Sequence, residues 1–132
     1  MKKILVALAG VILFFHTACS EEKETKDILP NGQTTITLPA EGGTQKVATK
    51  NSAWWIGSCM LNGKNLLADP SVTYVWDKYR AAIGVKSATF SFMKKNNILE
   101  VNLLPVADGE TREFTIALRD GNYFNHLYVI QK

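Results

Sequence analysis

The stretch Leu99-Glu100-Val101-Asn102-Leu103 decides the fold class. Apolar and polar side chains alternate strictly. Only an extended chain brings all three apolar groups to one face, because neighbouring side chains of a strand point to opposite sides. Phe114-Thr115-Ile116-Ala117-Leu118 repeats the pattern, and Phe90-Ser91-Phe92 gives a shorter core strand. Upstream, Thr34 to Leu38, Thr44 to Thr49 and Trp54 to Met60 read as strands, with β-branched residues in the first. Leu127-Tyr128-Val129-Ile130 is the last strand. It is apolar on both sides, which fits burial or an aromatic outer face. Turn chemistry separates these runs at 39–43, Asn51-Ser52, Asp108-Gly109 and Asp120-Gly121. Asp108-Gly109 reads as a hairpin tip. Short strands between regular turn signals predict an all-β sandwich. No internal repeat is visible.

The middle is the exception. From 61 to 88 the pattern is irregular, with Asn62-Gly63 at its start and Asp69-Pro70 inside it. Val72 to Tyr79 reads either as a strand or as part of that excursion.

The amino end is a different kind of segment. Lys2 and Lys3 precede the apolar run Ile4 to Phe15, which is shorter than the roughly 18 residues a membrane-spanning helix needs. Small residues follow at Thr17 and Ala18. Residues 1–18 are therefore expected to be a secretory signal peptide. Cys19 after Ala18 resembles the lipobox of bacterial lipoproteins, whose cysteine is lipidated, although His16 stands where that pattern has Leu. The lipid-free alternative is cleavage near Ala18 or Ser20. Ser20-Glu21-Glu22-Lys23-Glu24 resembles the export signal of Bacteroidetes surface lipoproteins, and it also reads as a solvated tether. The tether is expected to cover 19–33, with Pro30-Asn31-Gly32 as the turn that begins the folded part, 34–132.

Setting aside Lys2 and Lys3 leaves 13 basic residues against 12 acidic, a balance that gives no sign of nucleic-acid binding. The folded part suits one small domain with one core. With Cys19 lipidated, Cys59 has no intrachain partner and reads as a buried small hydrophobe.

Catalysis finds little support. His126 lies in the last strand and reads as a half-exposed strand residue. Asp108, Glu110 and Glu113 flank the expected hairpin tip, where surface polarity explains them, and Asp69 and Asp77 are isolated. No phosphate loop, thiolate cluster or calcium loop is visible. The sequence predicts no enzyme, no metal and no cofactor.

Leu38-Pro39-Ala40-Glu41-Gly42-Gly43-Thr44-Gln45, then Val47, Asn51, Trp54 and Ile56, resembles the opening of the BACON domain, the Bacteroidetes-associated carbohydrate-binding often N-terminal domain. Leu99 to Leu103, Arg112 with Phe114 to Leu118, and Tyr128 to Gln131 resemble its later strands and its closing Gln. The resemblance implies an immunoglobulin-like β-sandwich. It implies that Trp54 is a core residue, so Ile56 points inward and Trp55 outward. Members pass quickly from the Trp-x-Ile strand to the next core strand, whereas here 61–88 intervenes.

Trp55, Tyr74, Trp76 and Tyr79 are the candidate ligand-binding residues. Tyr74 and Trp76 share a face if their segment is a strand. Flat rings stack on the apolar faces of sugars, and Asn62, Lys64, Asp77 and Lys78 would then bond the hydroxyls. Alternatively Tyr74 and Trp76 fold back as a lid over Trp55, or the rings form the centre of a protein interface. Phe124 is expected as a core plug. The expectation is a non-catalytic lipoprotein of the outer membrane, facing the cell surface or the periplasm. It would bind a polysaccharide or host glycan, or act as a spacer or interaction module for an outer-membrane protein. The sequence names no particular glycan, partner or oligomeric state.

Overall fold

A computed structural model describes residues 28–30 and 33–132. The signal peptide, Cys19 and the acidic stretch fall outside them. Every regular element of the described residues is a strand, ten in all. These are β1 (Thr35–Leu38), β2 (Gly43–Ala48), β3 (Trp55–Leu61), β4 (Lys64–Asn65) and β5 (Thr73–Trp76). They continue with β6 (Ala82–Lys86), β7 (Phe90–Lys95), β8 (Ile98–Leu103), β9 (Arg112–Asp120) and β10 (Tyr123–Gln131). One sheet has the order β1-β10-β9-β3-β4, the other β2-β8-β7-β6-β5. The chain is a two-sheet β-sandwich. All neighbours are antiparallel except β1, which lies parallel to β10.

The alternation read from the sequence is the alternation of burial. Leu99, Val101 and Leu103 of β8 face inward, as do Phe114, Ile116 and Leu118 of β9 and Leu127 and Val129 of β10. Phe92 and Phe114, from opposite sheets, meet edge to face at 4.9 Å, with Phe90 4.9 Å from Phe114. Edge-on contact suits the ring quadrupole, and each buried ring adds a large apolar area to a core that is otherwise mostly aliphatic. Trp54 is buried just before β3, and its indole N–H donates to Thr49 Oγ1 at 2.9 Å. Cys59 is buried and unpaired, and burial pushes its thiol pKa up to about 12. It behaves as the small hydrophobe expected.

Three expectations are corrected. Asp108-Gly109 is not a hairpin tip. β8 already pairs with β2 on one side and β7 on the other, so β9 has no edge to join and crosses to the other sheet. The dipeptide makes a turn within that crossing, where Glu110 N–H donates to Ala107 O. The tether does not extend to Gln33. Ile28 and Leu29 are buried, and both their N–H groups donate to Asn125 Oδ1, at 2.9 and 2.8 Å. The stretch 61–88 is more regular than its pattern suggests. It opens with a tight hairpin at Asn62-Gly63, where both residues have positive φ, and it carries β4, β5 and β6. Strand β6 escaped the reading because its apolar residues do not alternate: Ala82, Gly84 and Val85 are all buried.

Candidate ligand-binding cleft

Strand β4 pairs only with Met60 and Leu61 of β3. The other half of β3, Trp55 to Ser58, therefore has no strand on that side and forms one wall of an opening at the end of the sandwich. Two bulges shape the opening. The register of β3 against β9 shifts between Ile56 and Ser58, and that of β5 against β6 shifts between Val75 and Trp76. Bulges bend a strand and redirect its side chains. The first keeps both Ile56 and Cys59 in the core, at odd spacing.

The loop between β5 and β6 supplies the opposite wall. Asp77 organises it. Its Oδ1 accepts from the N–H groups of Tyr79 (2.7 Å) and Ala81 (3.0 Å), and its own N–H donates to Ala81 O (2.9 Å). An Asp that bonds the backbone two residues on nucleates a tight turn. Arg80 sits at φ 67, in the left-handed region that side chains other than Gly, Asn and Asp rarely take. The turn thereby lifts Tyr79 and Arg80 into solvent.

Two concavities result, of about 440 and 180 Å³, which share Trp55 and Arg80. Tyr79, Lys94 and the edge of Trp54 complete the larger one, while Tyr74, Trp76 and Arg119 line the smaller. Of the four candidate residues, Tyr79 is 77% exposed and Trp76 54% exposed. Trp55 is half-buried on the outer side of β3, opposite to Trp54 and Ile56. The Arg119 guanidinium lies 5.7 Å from its ring centre and 5.1 Å from that of Phe124. These three residues face one another directly across β3, β9 and β10. Phe124 is thus no core plug. It is 49% exposed on the outer face, because the parity of β10 that buries Leu127 and Val129 turns Phe124 outward.

Tyr74 belongs to the packing rather than to the open surface. It is half-buried against the core and stacks under Trp76, with ring centres 5.6 Å apart and planes at 24°. Its hydroxyl is buried near the Cys59 backbone and makes no hydrogen bond of normal geometry. Burial raises its pKa. Tyr74 and Trp76 therefore do share a face, and they neither close over Trp55 nor form a flat row with it. They form one shoulder of a cleft.

The expected polar partners divide. Asp77 and Lys78 lie in the cleft loop, with Lys78 Nζ 5.2 Å from the Tyr79 ring centre. Asn62 and Lys64 stand at the far end of β3, where Asn62 Oδ1 accepts from Glu113 N–H. The sequence reading missed Arg80, Lys94 and Arg119. Arg119 reaches Trp55 only through strand register, and Lys94 reaches Trp54 (5.4 Å to the ring centre) only across the sheets. The Asp77-Lys78-Tyr79-Arg80 turn carried a local signal in its Asp.

No protein-family model matches the chain, and no curated protein matches it. Among solved structures it is similar to an NMR structure of a protein from Bacteroides thetaiotaomicron, with a TM-score of 0.58 and 20% sequence identity. The match covers 81% of this chain and 83% of that one. At that identity the likeness is one of fold.

Proposed function

We propose that this protein is a non-catalytic, lipid-anchored module of the bacterial outer membrane that binds saccharide in the cleft beside Trp55. One observation carries the reading: Tyr79 and Trp76 remain largely exposed, one on each of two adjoining concavities that share Trp55 and Arg80. Exposed rings at a concave site supply contact area with little loss of rotamer freedom, which suits the apolar faces of sugar rings. Asn65, Ser52 and Ser58 add hydroxyl-compatible partners to the walls. Kinship with BACON domains and an immunoglobulin-like lineage belong to the same proposal. The parallel pairing of β1 with β10 and the order β10-β9-β3-β4 beyond it support that lineage.

The second reading is a protein-interaction module. The row Trp55, Arg119 and Phe124 on the outer face favours it, since aromatic and Arg residues concentrate at the centres of interfaces. Tryptophan fluorescence, titrated with neutral and charged plant and host glycans, separates the two. A saturable shift that is lost in Tyr79→Ala and Trp76→Ala supports the saccharide site. A flat response to every glycan refutes it and directs the search to outer-membrane protein partners.

A further inference from the structure

We infer that the ligand of this cleft is an acidic saccharide, held by an oxyanion on the sugar that pairs with Arg80. The inference rests on the saccharide reading above and narrows it. The cleft walls carry Arg80, Lys94 and Arg119 as cations and Asp77 as the one carboxylate. Asp77 is committed to its own turn through two backbone N–H groups. None of the three cations is neutralised: the one ion pair among the described residues is Lys95 with Glu100. Lys94 and Arg119 are partly engaged, over Trp54 and over Trp55 and Phe124, and Arg119 Nε also donates to Gly121 O at 2.8 Å. The Arg80 backbone N–H donates to Asp77 O at 3.0 Å, and its side chain makes no hydrogen bond, ion pair or ring contact among the described residues.

The position of Arg80 is specific. It lines both concavities, and with Trp76 it flanks a third, open hollow of about 520 Å³. A ring for the apolar sugar face and a guanidinium for an equatorial oxyanion thus stand side by side. A guanidinium offers parallel N–H donors that match carboxylate or sulfate oxygens. A neutral sugar would leave three cations around the cleft against the single carboxylate of Asp77. An anionic one balances the excess of positive charge.

The test uses matched pairs that differ only at the charged group, measured by calorimetry and fluorescence on the purified protein. Oligogalacturonate against its methyl ester reads the carboxylate, and a sulfated galactan oligomer against its unsulfated form reads the sulfate. The expected result is binding of at least one charged member, about tenfold or more tighter than its neutral twin, weakening as salt is raised. Arg80→Asn, whose replacement tolerates positive φ, should remove most of that preference, with an unchanged circular dichroism spectrum. Equal binding of charged and neutral twins overturns the inference and leaves the saccharide site standing. Loss of the preference in neither Arg80→Asn nor Lys94→Gln overturns the assignment of the anion to this cleft. No binding to any member overturns the saccharide reading and this inference with it.

Discussion

Replacing Gln131 by Met should unlock the end of the sandwich opposite the cleft. Gln131 is fully buried, and its side chain works in both directions. Its Oε1 accepts from Arg112 Nε (3.0 Å) and Nη2 (2.7 Å). Its Nε2 donates to Leu104 O at 2.9 Å and, more weakly, to Pro39 O and Ala40 O at 3.3 Å each. Arg112 reaches onward to Thr89 Oγ1 at 2.9 Å and to Leu104 O at 3.0 Å. One amide thus ties β10 to both crossings near that end, 39–42 and 104–111. Met keeps the length and bulk and removes every bond. The hydrogen bonding to the charged donor is worth about 1.5–3 kcal/mol and the neutral bond to Leu104 O about 1 kcal/mol, while Leu104 O, Pro39 O and Ala40 O keep donors from Arg112, Gly42 and Val106. Arg112 keeps its desolvated position, which already lowers its pKa, and loses its best acceptor. The total is about 2.5–4 kcal/mol, a large part of the roughly 5–15 kcal/mol that holds a domain of this size. Urea unfolding should show the midpoint falling by about 2 M with an unchanged slope. Arg112→Met should cost a similar amount, and the double variant should cost far less than the two together, because both changes remove the same contact. A loss below about 1 kcal/mol, or simple additivity, would refute the reasoning.

The other predictions use single positions. In Gly42→Ala the new Cβ would fall on the Leu103 carbonyl oxygen, at a residue with φ +87, whereas Gly63→Ala at φ +82 meets nothing. Urea unfolding should therefore show a loss of more than about 2 kcal/mol for the first and about 1 kcal/mol for the second, and equal losses would sink the argument from backbone contact. The folded Cys59 thiol keeps its proton up to about pH 12 while the unfolded thiol releases it near 9.0. Its contribution to stability is complete below pH 9 and declines as pH rises toward 12, by about 1.4 kcal/mol per unit. Comparison with Cys59→Ala at pH 8 to 11 should isolate that slope, and parallel curves would contradict it. Glu100 accepts from Lys95 Nζ at 2.8 Å, and this hydrogen bond lowers its pKa below 4.5. The favourable contact is present above pH 4.5 and fades as pH falls below it. A carboxyl titration followed by NMR should move back to the ordinary midpoint in Lys95→Met, and no movement would show that the pair is not formed in solution.

Strand parity carried most of what was legible. The alternations at 99–103 and 114–118 fixed which residues fill the core, and the two tryptophans divide as parity requires, with Trp54 in and Trp55 out. What failed was pairing, which is not a local property. Asp108-Gly109 has good hairpin chemistry, yet both edges of β8 were already occupied. Phe124 is apolar and near a turn, and only the register of β10 against β9 tells that it lies beside Arg119 on the outer face. The bulge at Gly57 interrupts the period within β3, and its one local signal is the glycine inside the strand. Half of the cleft was legible for the same reason: Trp55, Trp76 and Tyr79 stood out as aromatics in strands and turns. Of the cations that give the cleft its charge, Arg80 follows Tyr79 in the same turn, while Lys94 and Arg119 come from β7 and β9. Nothing in a run of residues brings Lys94 or Arg119 to a tryptophan.

The two ends of the sandwich divide the work. Gln131 and Arg112 lock one end, where the chain passes twice between sheets. The cleft lies at the other, where β3 is left open by the short β4. The described chain begins at that cleft end: Lys50 N–H donates to Ile28 O, and Ile28 bonds Asn125, next to Phe124. A chain extends at most about 3.3–3.6 Å per residue, so an anchor at Cys19 would hold Ile28 within roughly 30 Å of its membrane. The cleft would then meet its ligand in the membrane-proximal layer rather than at a distance from it. An acidic saccharide in that layer is either a strand thin enough to enter it or a glycan of that surface. If the proposed anchor and saccharide site hold, the charge of the cleft and the place where the chain joins the fold narrow the ligand together, one by chemistry and the other by reach.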